Sequence, residues 1–443
     1  MGAESGRPAK PIKNLGWTVT LAGVGINLAL GVLYSWSVVK QHVPDDWGWN
    51  DKDKLWPYSI ACLVFSLMMV PAGRLQDNIG PRLVATAGGV LVGIGMIVAY
   101  LSGSWHFGYL IGFGMLVGAG IGFGYASATP PAVKWFPAAR TGLIAGLVVS
   151  GFGLASVYAS PLTTWLIGLY GIPTTMLILG IAFLIVVVGL SQLLTPPPKG
   201  FVPAGAVAPG KVARPAREDL GPKEILGTAQ FYLLWFMYFC GAGAGLMIIG
   251  TLAPIGKEQA GIAKSLSFWL VVACAVGNGA GRIIAGTLSD KLGRQQTMRG
   301  CFLLQAALLV LLSFVRPDPE SAFTALLVML VISALIGANY GANLSIFPSV
   351  TKDYYGLKNF GVNYGLVFTA WGVGGFVMAQ LAGTIHDYCI TNEITPYGYT
   401  YAYYAASVLL VLAAAVSFAL RPPRHHHDAP ERKKQRPLVV QQG

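Results

Sequence analysis

Charge is scarce in this 443-residue chain: only 11% of its residues are Asp, Glu, Lys or Arg, and the carboxylates number just 18. Soluble domains carry about 25% charged residues, so a fully solvated surface is excluded. Cysteine is also sparse. Of the five, Cys62, Cys240, Cys274 and Cys301 fall within apolar runs and Cys389 does not, which leaves neither a disulfide framework nor zinc-ligand spacing. Half of the six histidines form one run near the C-terminus, His425, His426 and His427. That run offers nitrogen ligands to a metal, but a solvated tail is the preferred reading. No nucleophile, general base or metal cluster converges within the apolar segments, so an enzyme ranks last among the candidate functions and no cofactor is expected. The surplus of bases, a formal +12, is spread through short connections and the tail. It forms no single basic face with aromatics between, which argues against a nucleic-acid partner.

What the chain has in abundance is apolar length. Hydrophobic residues make up 54% of it and glycines number 57, and small residues let helices approach closely within a bilayer. A spanning helix needs about 20 apolar residues. Twelve runs stand out: 17–39, 55–73, 83–101, 107–131, 142–168, 173–194, 229–252, 265–288, 300–315, 322–348, 362–384 and 400–420. The first is too long for a signal-peptide core and lacks a clear cleavage site. The polar residues 1–16 before it carry Arg7, Lys10 and Lys13. With that segment inside the cell, only Lys40, Lys52, Lys54, Lys257, Lys264 and Arg316 fall outside, and the positive-inside rule selects this orientation. The expectation is a multi-pass protein of the cell (inner) membrane with both termini cytosolic. Residues 195–228 are rich in Pro, Ala and Gly and read as a cytosolic linker between two six-helix sets, 17–194 and 229–420. Residues 421–443 form a basic cytosolic tail.

Arg282 is the one Lys, Arg, Asp or Glu placed well inside any run. An Arg at the bilayer centre costs at least about 2.5–3.5 kcal/mol, so such a residue usually faces a cavity and marks a substrate path. The alternative is that it snorkels to nearby headgroups. Side chains on a helix lean toward its N-terminus, however, and on a helix running from outside to inside that lean carries Arg282 toward the midplane. Asn278 is i−4 to it and shares its face. No carboxylate of the bundle is available to neutralise it. Asn339, Tyr340 and Asn343 cluster in run 10 by the same rule, as do Phe368, Trp371 and Gly375 in run 11 and Asn27, Gly31 and Tyr34 in run 1; Tyr125 is the comparable residue of run 4. Each aromatic has packing or an interface position as its plain alternative, and each Asn has interhelical bonding.

An internal repeat supports the division into halves. Gly73-Arg74-Leu75-Gln76-Asp77-Asn78-Ile79-Gly80 after run 2 and Gly286-Thr287-Leu288-Ser289-Asp290-Lys291-Leu292-Gly293 after run 8 both read G-x-L-x-D-x-x-G. Trp135-Phe136-Pro137 after run 4 and Ile346-Phe347-Pro348 after run 10 are a second pair at nearly the same offset, as expected of a transporter built from parallel repeats. The first pair resembles the loop motif of the major facilitator superfamily, and the second copy continues into Arg294 as that motif does. The resemblance implies an all-α integral membrane fold, twelve transmembrane helices in two pseudo-symmetric six-helix bundles. It also implies a gating role for Gly73, Asp77, Gly80, Gly286, Asp290, Gly293 and Arg294: a carboxylate at a helix end meets helix N-terminal amides or an Arg of the other half and latches one face shut. Asn78 and Pro81 stand where bases are common, which predicts a weaker first latch.

Within the superfamily the chain resembles the oxalate/formate exchanger and monocarboxylate transporter branch over about residues 15–420. The residues that carry this are Leu33-Tyr34-Ser35-Trp36, Lys134-Trp135-Phe136-Pro137 with Arg140 and Gly142, and Asn363-Tyr364-Gly365. Oxalate exchangers carry a second cation, a lysine, where Trp371 stands here; animal-type monocarboxylate transporters carry an Asp where Asn278 stands, and a Lys in helix 1 that is lacking here. One cation with aromatic walls suits one carboxylate and an apolar remainder. The expected substrate site is therefore Arg282, Asn278, Tyr340, Asn343, Tyr125, Tyr34, Phe368 and Trp371. The expected function is uptake of a small monocarboxylate of the lactate or pyruvate class by a monomeric unit, in symport with a proton, with Glu258, Asp387 and His386 as proton-coupling candidates. Anion exchange is the runner-up, and a non-transporting receptor or sensor the alternative of another class.

Overall fold

The computed structural model describes residues 14–49, 51–198, 201–203, 219–262, 264–316, 322–394 and 399–423. The basic tail beyond 423 with His425, His426 and His427, most of the N-terminal segment and most of the linker lie outside the described residues. Twelve long helices carry the fold, and no strand occurs among the described residues. In chain order they are α1 (Gly16–His42), α2 (Asp51–Ile79), α3 (Pro81–Leu101), α4 (His106–Lys134), α5 (141–170), α6 (172–191), α7 (Ala229–Glu258), α8 (Lys264–Leu292), α9 (Arg294–Leu312), α10 (Ala322–Tyr355), α11 (Phe360–Thr391) and α12 (Thr400–Val416). α5 and α6 part at Gly171, whose φ of 74° and ψ of 173° only glycine adopts without strain.

Most helices outrun their apolar stretches. α2 continues from its apolar run through the polar residues Arg74 to Ile79, and α8 likewise continues to Leu292. The G-x-L-x-D-x-x-G segments are thus helical to their seventh residue, and only the last glycine turns the chain. Both helices extend beyond runs 2 and 8, which end at 73 and 288. Hydropathy marks the part of a helix that must avoid water, whereas backbone bonding continues wherever it is satisfied internally. α9 starts at Arg294, several residues before its apolar run, for the same reason. Pro348 differs from Pro137 in a similar way: α10 runs on through it to Tyr355, while Trp135 to Pro137 follow the end of α4. The second pair of repeat markers is therefore equivalent in sequence but not in local structure.

The two halves pack by one plan. α1 lies on α5, α2 on α4 and α3 on α6; α7 lies on α11, α8 on α10 and α9 on α12. Across the interface α2 meets α11 and α5 meets α8, a pair of contacts related by the same pseudo-symmetry. Glycine makes these contacts close. A Cβ on Gly281 of α8 would stand 2.1 Å from the Ala338 carbonyl oxygen of α10, and one on Gly337 would stand 2.1 Å from that of Cys274. Packing of this kind, rather than hydrophobic exclusion, associates helices in lipid. α1 tightens to a 3₁₀ turn over Gly31–Ser35, where Gly31 abuts Ala155 of α5. That turn aims Tyr34 into the centre of the molecule.

The glycine contacts predict a contrast. Gly281→Ala forces α8 and α10 apart and should lower stability by about 1–3 kcal/mol, the usual cost of overpacking. Gly300→Ala on α9, where an added Cβ meets nothing within 4 Å, should cost nothing. Thermal unfolding of the detergent-purified variants measures both.

Candidate functional site

Arg282 sits at the middle of α8, enclosed by backbone on two sides. A Cβ on Gly146 of α5 would lie 2.3 Å from the Arg282 carbonyl oxygen, and one on Gly153 would lie 3.1 Å from its Nε. The side chain is 0% exposed. Its Nε donates to Asn278 Oδ1 at 3.0 Å, one turn back toward the α8 N-terminus, and Nη1 donates to the Val149 carbonyl oxygen of α5. The guanidinium thus points inward and does not snorkel. Nη2 has no hydrogen-bond partner, and among the described residues no carboxylate pairs with this cation.

Aromatic rings from both halves close over it. Tyr34 of α1 shares a hydroxyl contact of 3.2 Å with Tyr340 of α10, and Trp371 of α11 donates its Nε1–H to the Tyr340 hydroxyl at 2.9 Å. Phe368 stacks on Trp371 with ring centroids 5.2 Å apart. Phe65 of α2 lies 5.2 Å from Phe368, 5.3 Å from Trp371 and 5.4 Å from Tyr125. Phe152 of α5 packs edge-on to Tyr34 at 5.3 Å. Tyr125 has no well-directed hydrogen bond for its hydroxyl, which lies toward Tyr364; Tyr364 in turn meets Tyr238 at 3.4 Å. Tyr34, Tyr125, Tyr340 and Tyr364 all lie within electrostatic reach of Arg282. The result is a largely buried aromatic cluster, split between the halves, beside one cation with an unused donor.

Of the residues singled out in the sequence, Arg282, Asn278, Tyr34, Tyr125, Tyr340, Phe368 and Trp371 are brought together here. Asn343 is not. Its Nδ2 donates to the Asn339 carbonyl oxygen at 2.9 Å, its Oδ1 faces Gly241 of α7, and it makes no hydrogen bond to Arg282. Asn27 donates to the Val148 carbonyl oxygen at 2.9 Å, which joins α1 to α5. His386 stacks on Tyr399 with centroids 4.1 Å apart; the side chains of Glu258 and Asp387 lie outside the described residues. Phe65, Phe152, Tyr238 and the Val149 carbonyl belong to the cage but were not singled out in the sequence, and Tyr364 stood out there only as part of Asn363-Tyr364-Gly365. Phe65 was reachable by extending the motif backwards, because Phe65, Met69 and Gly73 form an i, i+4, i+8 stripe on the face of α2 that meets α11.

At the end of the molecule that bears the repeated motifs, the halves are clasped twice. Asp290 Oδ1 accepts from the Gly142 amide at 3.0 Å and Oδ2 from the Leu143 amide at 3.0 Å, at the N-terminus of α5. Asp77 Oδ1 and Oδ2 accept from the Gly361 and Val362 amides of α11 at 3.1 and 3.0 Å. A carboxylate on unpaired helix N-terminal amides is favourable in charge and in hydrogen bonding. The first glycine of each motif sits at the crossing: a Cβ on Gly73 would stand 2.2 Å from the Gly361 carbonyl oxygen, and one on Gly286 would stand 2.3 Å from that of Gly142. The last glycines, Gly80 and Gly293, have φ of 93° and 96°, which ends one helix and starts the next within a single residue. Arg294 pairs with Asp290 at 2.5 Å and with Asp353 at 2.9 Å. It braces the second carboxylate from within its own half. The first copy lacks this brace yet has the same two amide bonds.

The chain belongs to the Major Facilitator Superfamily, whose sequence profile matches residues 19–379 and 269–442. It is similar to the oxalate:formate antiporter of Oxalobacter formigenes, 25% identical over 414 residues that cover 94% of this chain and 93% of that protein. It is also similar to the monocarboxylate transporter 11 of Homo sapiens, 25% identical over 380 residues, 84% of this chain and 77% of that one. The fold is similar to that of the E. coli fucose:proton symporter, with a TM-score of 0.65 at 13% identity over 91% of this chain and 98% of the symporter. Family and fold are those of multi-pass membrane transporters.

Removing the charge of one clasp should loosen that end. Bonds to a charged group contribute about 1.5–3 kcal/mol, so Asp290→Asn should raise the labelling rate of Thr141→Cys by roughly tenfold. Thr141 is 2% exposed at the start of α5. Maleimide labelling, corrected for the same protein with Thr141 intact, gives the rate.

Proposed function

We propose that this chain is a secondary active transporter of small monocarboxylates of the lactate or pyruvate class, working by alternating access of the two halves about Arg282. The observation that carries this reading is the unpaired Nη2 of a fully buried arginine, enclosed by rings from both halves. A carboxylate supplies the missing acceptor and the missing charge, and a guanidinium can grip it through two parallel bonds. The rings of Phe65, Phe152, Phe368 and Trp371 offer the remainder of the ligand an apolar wall. Asn278 holds Nε and fixes the plane of the fork. The doubly clasped end is the cytosolic one on this reading, since both termini and the linker belong to the same basic side. The clasped form is then a state closed toward the cytosol.

Exchange of the oxalate:formate kind is the second reading, favoured by the similarity that runs along most of the chain. Against it, Trp371 occupies the place of a second cation, and its Nε1–H is already committed to Tyr340. The second carboxylate of oxalate would lie unpaired among rings, at a cost of several kcal/mol.

Uptake of a lone anion against an inside-negative potential costs about 2.3 kcal/mol per 100 mV, whereas an anion accompanied by a proton crosses without net charge. Proton symport is therefore the proposed coupling. Asn278 cannot titrate and Arg282 stays charged, so the substrate carboxyl is the proposed proton carrier.

Transport assays in reconstituted vesicles test each step. Arg282→Lys, which loses the planar fork, should lose most lactate uptake, and Arg282→Ala essentially all, with the protein still inserted; normal uptake by Arg282→Ala would sink the site assignment. Oxalate should compete poorly with lactate, and Trp371→Lys should improve it. An inward pH gradient should accelerate uptake, and should still do so in Glu258→Gln and Asp387→Asn. Indifference to the gradient together with acceleration by internal anion would identify an exchanger instead, and no uptake of any acid from a panel would favour a receptor.

A further inference from the structure

A further pair of repeated segments closes the two halves. Ser191-Gln192-Leu193-Leu194-Thr195-Pro196-Pro197 at the end of α6 and Ser417-Phe418-Ala419-Leu420-Arg421-Pro422-Pro423 at the end of α12 both read S-x-x-L-x-P-P. In each copy the Ser and the conserved-spacing Leu are buried, and the Ser meets the third helix of its own half. The residues it meets are Thr86 of α3 and Arg299 of α9, which stand equally far along the chain from Gly73 and Gly286. The chemistry of the two seams differs. In the first, the Thr86 and Ser191 hydroxyls share a hydrogen bond of 2.7 Å, and Gln192 Nε2 donates to them at 3.1 and 3.0 Å. Arg82 Nη2 donates to Thr195 Oγ1 at 3.1 Å. In the second, Arg299 Nε donates to Ser417 Oγ at 3.1 Å, and the guanidinium carbon lies 3.5 Å from the centroid of the Phe418 ring, a residue 66% exposed. The edge formed by Nη1 and Nη2 of Arg299 has no hydrogen-bond or ion-pair partner among the described residues.

Depth in the bilayer decides what meets that edge. Arg299 lies about 7.5 Å beyond the start of α9 by the helical rise. Leu303, one turn farther on the same face, is exposed, as are Leu304 beside it and Val411 and Leu412 on α12. Exposed aliphatic side chains on membrane-spanning helices face acyl chains, so the cation stands where hydrocarbon gives way to headgroups. We propose that the α9–α12 seam at the motif end is a binding site for an anionic phospholipid, whose phosphate is gripped by Nη1 and Nη2 of Arg299 while Phe418 lies against its glycerol and upper acyl chain. A guanidinium fork gives a phosphate two parallel hydrogen bonds. The ring and the Ser417 bond hold the fork in place before the lipid arrives, so less freedom is lost on binding. The first seam lacks this arrangement. Thr86 stands in the place of Arg299, Gln192 in the place of Phe418, and Arg82 already spends Nη2 on Thr195. One tight site is therefore expected, on the second half.

The test is independent of any transported substrate. Native mass spectrometry of the detergent-purified full-length protein, titrated with phosphatidylglycerol, gives the affinity of the first bound lipid. Arg299→Gln should weaken it about fivefold to tenfold, the effect of one basic residue at the headgroup level with its hydrogen bonds. Phe418→Leu keeps the charge and the Ser417 bond and removes only the ring, and should weaken binding about twofold to fivefold. It carries the test if Arg299→Gln fails to fold. Arg82→Gln changes net charge by the same amount as Arg299→Gln and should leave the first lipid bound as in the wild type. Wild-type affinity in Arg299→Gln, or in a folded Phe418→Leu where Arg299→Gln does not fold, would overturn the proposal. So would an equal loss in Arg82→Gln, which would mean a diffuse basic surface in place of a site. Glycerol 3-phosphate, which has the phosphate and no acyl chain, should not displace the lipid; displacement at comparable concentration would assign the fork to a soluble phosphate and overturn the lipid reading.

Discussion

Everything at the centre of this molecule is arranged around one uncompensated buried cation. Taking a guanidinium out of water costs several kcal/mol even after relaxation, and Asn278 with the Val149 carbonyl returns only part of that through two hydrogen bonds. An adjacent carboxylate would have satisfied it, and the chain has none there among the described residues. On the proposed reading the deficit is kept open for a mobile anion, which differs from a structural ion pair in that it can leave. The rings around it serve the same end. They exclude water, which strengthens the attraction to any anion that enters, and they offer no second cation to hold it permanently.

The cation stays in place because its helix cannot drift. α8 is wedged between α5 and α10 at backbone contact, with Gly142 and Gly146 on one side and Gly337 and Gly341 on the other, while Gly153 faces the Arg282 and Asn278 side chains. The G-x-L-x-D-x-x-G segment extends this logic to the end of the helix. Its first residue is glycine because two helices of opposite halves touch there, its fifth is Asp because the touching helix presents unpaired amides, and its last is glycine because the chain must reverse at positive φ. Each copy uses all three, on α11 in one case and α5 in the other, so the closure is doubled by pseudo-symmetry.

Much of this was legible in the sequence, for identifiable reasons. An arginine within an apolar run is costly enough to be conspicuous, and the i−4 relation of Asn278 predicts the bond that is found. The repeated octapeptide announced two halves, and the family resemblance offered helix amides or an Arg of the other half as partners of its carboxylates, of which the amides are found. Less was legible where no side-chain chemistry distinguishes roles. Phe65 and Phe152 look like any other lipid-compatible aromatics, the Val149 carbonyl has no side-chain signature, and Asn343 shares a face with Asn339 yet turns to α7. Helix ends were read short at Arg74–Ile79 and Arg294–Arg299 because polarity there reflects the water beyond the bilayer and not a loss of helical bonding.

One geometric fact joins the centre to the clasped end. α5 accepts from Arg282 at Val149 and donates to Asp290 at Gly142 and Leu143, while α8 carries both Arg282 and Asp290. Two rigid helices are thus tied at two points about two turns apart. On the proposed reading, a carboxylate arriving at Nη2 draws the guanidinium toward itself and competes with the Val149 carbonyl for it. Loss of that tie weakens the α5–α8 seam at its inner point and leaves the Asp290 clasp to hold alone. A ligand that engages the arginine would then lower the barrier to opening at the motif end, whereas an empty arginine keeps the seam fastened. On that reading charge recognition and release of the clasp are consequences of one guanidinium, whose Nη1 ties α8 to α5 and whose Nη2 is idle at the contact between the halves.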